Sequence, residues 1–267
     1  MSISVRLCKA HSWFFLLWLL AVPVAAEVET LPLEHEFVST VSQLSARSFK
    51  AKTAAIEKLV TLTDVRVLTV LEHLLAGTLY YRKQDKAIVY VEKVADGLRL
   101  YSVMDDSELG VVSSREVKKV SLNNSLRSKL RSEIARLKLQ HKNPKVRLQA
   151  AKTLQGKIDS EQAALPLREA LSKERDKAVS QALKETLAIF DLDSGITPIQ
   201  FDAVKVLKNS LSQEARVKLN RLAHEAEDKE LSRAAQAAVE KIDSRFKFYS
   251  FVETLFFGLS LGSVLLL

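Results

Sequence analysis

The sequence predicts a mainly α-helical protein built from stacked helix pairs, interrupted by a small antiparallel β insert and followed by the start of a transmembrane helix. Three observations predict it. Apolar residues recur at helical spacing through most of the chain but give way to short β-rich runs between Thr78 and Leu122. One spacing of cap, small residue and leucine or valine returns four times. The final stretch, Phe251–Leu267 (FVETLFFGLSLGSVLLL), is almost wholly apolar and ends without a polar flank.

Residues 1–26 have the three parts of a secretory signal. Arg6 and Lys9 form a basic start, Trp13–Val22 an apolar run, and Val24-Ala25-Ala26 a small-residue cleavage site before Glu27. An uncleaved anchor is the alternative. In both cases the chain after Ala26 is expected to be exported. Cys8, the single cysteine, precedes the apolar run, whereas a lipoprotein acceptor would follow it. Removing the signal leaves no thiol, so the core is expected to rest on packing without disulfides.

Residues 27–77 read as N-terminal helices, with stripes at Ile56, Leu59, Val60 and at Val67, Leu68, Leu71, Leu74, Leu75. Residues 78–122 read as the β insert, with three or four short strands. Ile88–Val91 and Leu98–Val103 are its clearest runs, and Asp96-Gly97 between them signals a turn.

Residues 123–247 return to helical texture with internal repetition. Asn143–Leu154 places Val146, Ala150 and Leu154 at one spacing, and Asp176–Leu187 repeats it with Val179, Leu183 and Leu187. Asp228–Val239 does so with Leu231, Ala235 and Val239, and Ser48–Leu59 with Ala51, Ala55 and Leu59. Each copy opens on a residue that caps helices, and its small inner residues let a neighbouring helix approach. Amphipathic helices precede the later copies, as in Leu126–Leu139 and Glu161–Leu171. Such pairs stack, and the pattern resembles HEAT-like repeats forming a solenoid. The step between the copies at Asp176 and Asp228 is lengthened by an extra segment, Thr197–Leu211. A generic helical bundle is the alternative.

Residues 248–267 read as the start of the first transmembrane helix. A bilayer core about 30 Å thick takes roughly 20 residues to span, so this stretch is expected to continue beyond Leu267. Gly258 and Gly262 stand four apart, the spacing that lets membrane helices pack closely. Glu253 suits an interfacial position. Lys241, Arg245 and Lys247 lie on what would be the outer side, against the usual inside bias of basic residues. Export of the preceding domain still favours an outside start, because long domains cross largely regardless of charge.

The net charge of +8 includes Arg6 and Lys9. Basic and acidic residues elsewhere alternate along helices, as in Leu171–Lys177, which marks a solvated face and argues against a nucleic-acid partner. The five histidines show no metal-ligand spacing. Glu34-His35-Glu36 is the densest polar cluster and reads as solvated, while Asp105-Asp106 reads as a turn between strands. The seven glycines form no phosphate loop. No catalytic residue, cofactor site or metal site is expected, and the chain reads as a non-enzyme.

The segment Phe248–Leu267 resembles the opening of the first membrane helix of permeases in the branched-chain amino acid ABC transporter family. A long exported helical-repeat extension before that helix is similar to the urea-type permease subunit, and Gly77–Lys83 (GTLYYRK) also looks like that extension. The resemblance implies binding-protein-dependent urea import across the bacterial inner membrane, with residues 27–247 in the periplasm. It further implies ABC ATPase subunits, a second permease subunit and a periplasmic substrate-binding protein as partners. The family's remaining membrane helices lie outside this sequence, so no transport residue is carried over. The alternative is a membrane-tethered periplasmic helical-repeat scaffold that binds a protein partner.

Overall fold

A computed structural model describes residues 30–265. The chain opens with α1 (Thr30–Ser42), a single 3-10 turn (Gln43–Ser45), α2 (Phe49–Thr61) and α3 (Arg66–Ala76). The Ser48 hydroxyl caps α2 by accepting from the Ala51 N–H at 3.4 Å. α3 stops at Gly77, whose left-handed φ of 78° lets its N–H reach the carbonyls of His73 and Leu74.

Five short strands follow: β1 (Leu79–Arg82), β2 (Ile88–Val94), β3 (Gly97–Ser102), β4 (Glu108–Val112) and β5 (Val117–Lys119). They form one antiparallel sheet in the order β4-β3-β2-β1-β5. The β2–β3 hairpin turns at Ala95-Asp96, and Gly97 is required there because a Cβ would lie 2.7 Å from the Val112 carbonyl oxygen. The sheet has one strand more than the three or four expected. β5 sits in a polar run without alternation and becomes a strand only because Tyr80 and Tyr81 pair with Lys119 and Lys118.

Helices resume with α4 (Asn124–Lys138), α5 (Pro144–Thr153), α6 (Glu161–Lys173), α7 (Lys177–Asp191), α8 (Thr197–Leu207), α9 (Gln213–Glu225) and α10 (Lys229–Leu265). The cap residues at the four copies behave as their chemistry dictates. Asn143 accepts from the Lys145 N–H, Asp176 from those of Ala178 and Val179, and Asp228 from those of Glu230 and Leu231. The extra segment forms α8, which packs between α7 and α10 and so explains the lengthened step.

The core runs through three main clusters joined by shared helices. The first gathers Phe37, Ile56, Leu71, Leu74, Leu79, Ile88 and, from α4, Leu126, Leu130 and Ile134. Ala135 on the same α4 and Leu139 just after it enter the second with Ala150, Leu154, Leu167, Val179 and Leu183. α7 then contributes Ala188 and Ile189 to the third, joined by Leu192 just after it and by Leu207, Leu219, Leu231, Ala235 and Ile242. α4 and α7 are therefore each shared by two adjoining cores. A small fourth cluster, Val89, Val91, Leu100 and Val117, lies on the other face of the sheet.

Candidate functional site

α10 has two parts with opposite surroundings. From Leu231 to Ile242 its inner face is buried, and Arg216 of α9 pairs with Asp243 while Arg245 donates to the Asn209 carbonyl. The guanidinium of Arg216 holds the Asp243 carboxyl below its ordinary range. Beyond this base the helix continues without a break for a total of 37 residues, since neither proline nor glycine interrupts it before Gly258. Phe248, Phe251, Phe256, Phe257 and Leu259 are then 62% to 74% exposed.

Gly258 and Gly262 both lie in this helix, and a Cβ on Gly258 would meet nothing within 4 Å among the described residues. No packing partner for that glycine is therefore found within the described chain. Glu253 is exposed nearby. Among the described residues no helix is long and apolar enough to cross a membrane. The apolar end expected to start a span is thus an exposed helical segment. The cleavage site, Ala26 and Glu27, lies outside the described residues.

The polar clusters singled out in the sequence do not converge. Glu34 and Glu36 turn to different partners, Arg66 at 3.9 Å and Lys58 at 3.1 Å, tying α1 to α3 and α2, while His35 is exposed. Asp105 accepts from the Ser107 hydroxyl at 2.8 Å, and Asp106 takes a positive φ of 57°, so the pair forms the β3–β4 turn. Among the described residues no group of three His, Cys, Asp or Glu side chains could hold a metal ion.

One buried and one half-buried polar group carried no signal in the sequence. Lys52 is 2% exposed, and its amine donates to the Ser121 carbonyl at 2.7 Å and hydroxyl at 3.1 Å, joining α2 to the end of the sheet. Burial first, then Lys118, lowers its pKa. His73 stacks on Tyr90 with ring centroids 4.0 Å apart and shares a 2.8 Å hydrogen bond with Thr78; burial lowers its pKa as well.

A concave surface lies between α4 and α6. α4 packs on α5, α6 on α7 and α5 on α7. Two grooves open there. One, of about 510 Å³, is lined by serines of α4 and by Ser160 and Gln162. The other, of about 440 Å³, is bordered by Leu139, Lys142, Pro166, Ala170 and Arg175. Arg136 lines both. Pro166 inside α6 removes the N–H that would bond the Gln162 carbonyl.

The second groove is framed by a rigid ion pair. Arg147 donates from Nε and Nη2 to the two oxygens of Glu174 at 2.7 and 2.8 Å, and from Nη1 to the carbonyls of His141 and Lys142. Glu174 Oε1 also accepts the Arg175 and Asp176 N–H groups, both at 2.9 Å. Led by the bond from Arg147, these contacts hold the Glu174 pKa down to about 2. The α4–α5 and α6–α7 loops are thereby fixed to each other.

No protein-family model matches the chain, and no curated protein matches it either. The residues must therefore speak for its function on their own.

Proposed function

We propose that this chain is the exported N-terminal extension and first membrane segment of a urea-type ABC importer permease, with α4–α10 stacked as a HEAT-like solenoid. The observation that carries the reading is the continuity of α10: one helix leaves a packed, ion-paired base and ends in exposed phenylalanines. Such a surface is costly in water and suited to lipid. The secretory pattern of residues 1–26, the capped repeat copies and the permease-like Phe248–Leu267 also support it.

In this reading residues 27–247 sit in the periplasm and α10 leads the chain into the inner membrane. ATP hydrolysis belongs to separate ATPase subunits, and a second permease subunit and a substrate-binding protein complete the importer. Two measurements test it. The gene should continue in frame past Leu267 into further apolar segments, and disrupting it should abolish uptake of radiolabelled urea at low external concentration. A stop codon after Leu267, or unchanged uptake in the disrupted strain, would count against the permease.

A further inference from the structure

The groove between α4 and α6 has more positive charge than its own acids neutralise. Glu174 spends both oxygens on Arg147 and two backbone N–H groups, and Glu169 is held by Lys173 at 2.6 Å. Lys142 and Arg175 make no ion pair among the described residues, and both are exposed at the groove's rim. Arg136 lines the same groove, its Nη1 held by Glu133 at 3.2 Å. The exposed Lys142 amine and Arg175 guanidinium are met best by carboxylates, because charge-assisted hydrogen bonds are short and strong.

We propose that this groove binds an acidic peptide segment of a partner protein. Its carboxylates engage Arg136, Lys142 and Arg175, and an apolar side chain rests on Leu139, Pro166 and Ala170. Charge complementarity and shape both favour this occupant. The cations lie around a recess of about 440 Å³ with an apolar floor, where side chains of a peptide enter but a flat lipid surface does not. A nucleic-acid backbone needs an extended basic track, and the neighbouring surface carries acids: Glu161 and Asp191 around Arg168, and Glu169 beside Lys173. The Arg147–Glu174 pair presets the groove, so binding has little loop ordering to offset. This inference stands apart from the permease reading.

The test uses the full chain in non-ionic detergent and fluorescence anisotropy with a labelled peptide of alternating glutamate and leucine. Saturable binding is expected, weaker with added salt and absent for the matching glutamine–leucine peptide. Combining Arg136→Gln, Lys142→Gln and Arg175→Gln should weaken binding at least about tenfold, the effect expected for losing a charge-assisted hydrogen bond. The charge-matched set Lys152→Gln, Lys177→Gln and Lys184→Gln, all exposed and outside the groove, should leave it nearly unchanged. Should the triple variant melt early, the exposed Lys142→Glu carries the comparison alone. Equal losses in both sets, equal binding of the glutamine peptide, or no binding overturns the proposal. So does an anionic vesicle or RNA oligonucleotide that loses binding with the groove set when the peptide does not.

Discussion

The core beneath the sheet and the core at the base of α10 are filled with different side chains. The first uses large ones, among them Phe37, Leu44, Ile56, Leu59, Leu71, Leu74 and Leu79, all fully buried. The last relies on alanines at 188, 203, 215, 223, 235 and 238, between fewer leucines and isoleucines. Where helices cross a sheet and a turn, bulky residues fill irregular space. Where helix lies on helix, small residues let the backbones close up, and dispersion over many contacts does the stabilising. The two regions should therefore fail in opposite ways: the first when a side chain shrinks, the last when one grows.

The largest effect is expected in the first core. Leu74 is fully buried on α3, and Leu74→Ala should cost about 2 to 5 kcal/mol, because the removed methyls leave a cavity that relaxes only partly. Urea denaturation of the full chain reads this directly. A loss below about 1 kcal/mol would mean that this core collapses freely and lacks the jigsaw packing assigned to it.

Next comes the pin between the α4–α5 and α6–α7 loops. Glu174→Gln keeps the shape but removes the charge that Arg147 holds, and should cost about 1.5 to 3 kcal/mol at neutral pH. The pH dependence gives a second readout. The folded pKa of about 2 lies below the ordinary 4.5, so the stabilisation is complete above that value and is lost as pH falls from 4.5 toward 2. Parent and variant should converge in stability across that window. Parallel curves would show that the carboxylate is not what fixes these loops.

Overpacking tests the last core from the other side. Ala235 is fully buried on α10, and Ala235→Phe should cost about 1 to 3 kcal/mol. At this chain length that is about 2 to 4 °C in Tm per kcal/mol. Ala150→Phe in the second core should behave alike, whereas the exposed Lys152→Ala should stay within about 0.5 kcal/mol. Unchanged melts for both phenylalanine variants would remove the close helix approach on which the stacked-repeat reading depends.

What could be read in the sequence was what local chemistry decides. Ser48, Asn143, Asp176 and Asp228 each cap the helix they precede, because an N-cap needs only an oxygen and an N–H two or three residues on. The β2–β3 hairpin announced itself through Asp96-Gly97 and the flanking alternation. Features set by distant partners were silent. β5 depends on β1, Lys52 is satisfied by a serine 69 positions away, and the groove brings Arg136 beside Arg175 only after four helices have packed. The boundary drawn at residue 248 likewise has no counterpart in the backbone, since α10 runs through it from Lys229 to Leu265. Charged residues were the least legible of all: the same interleaving that reads as a solvated face contains Glu174, whose side chain is only 4% exposed.

The smallest expected effect separates the two regions by their caps. Asp176 accepts from Ala178 and Val179 at 2.9 and 3.0 Å, and its negative charge faces the positive end of the α7 dipole. Ser48 makes one neutral bond of 3.4 Å to Ala51, at the long limit for a hydrogen bond. Asp176→Ala should therefore cost about 1 kcal/mol, near the middle of the N-cap range, and Ser48→Ala about 0.5 kcal/mol at the low end. Salt should narrow the gap, because it screens the dipole contribution of Asp176 and leaves the serine hydroxyl untouched. Denaturation midpoints of the two variants at low and high salt decide it. A Ser48→Ala loss equal to or larger than that of Asp176→Ala would show that helix starts in the first region depend on local capping as much as those in the later helices. The contrast between a core filled by bulky side chains and one filled by closely set, alanine-lined helices would then not extend to the helix ends.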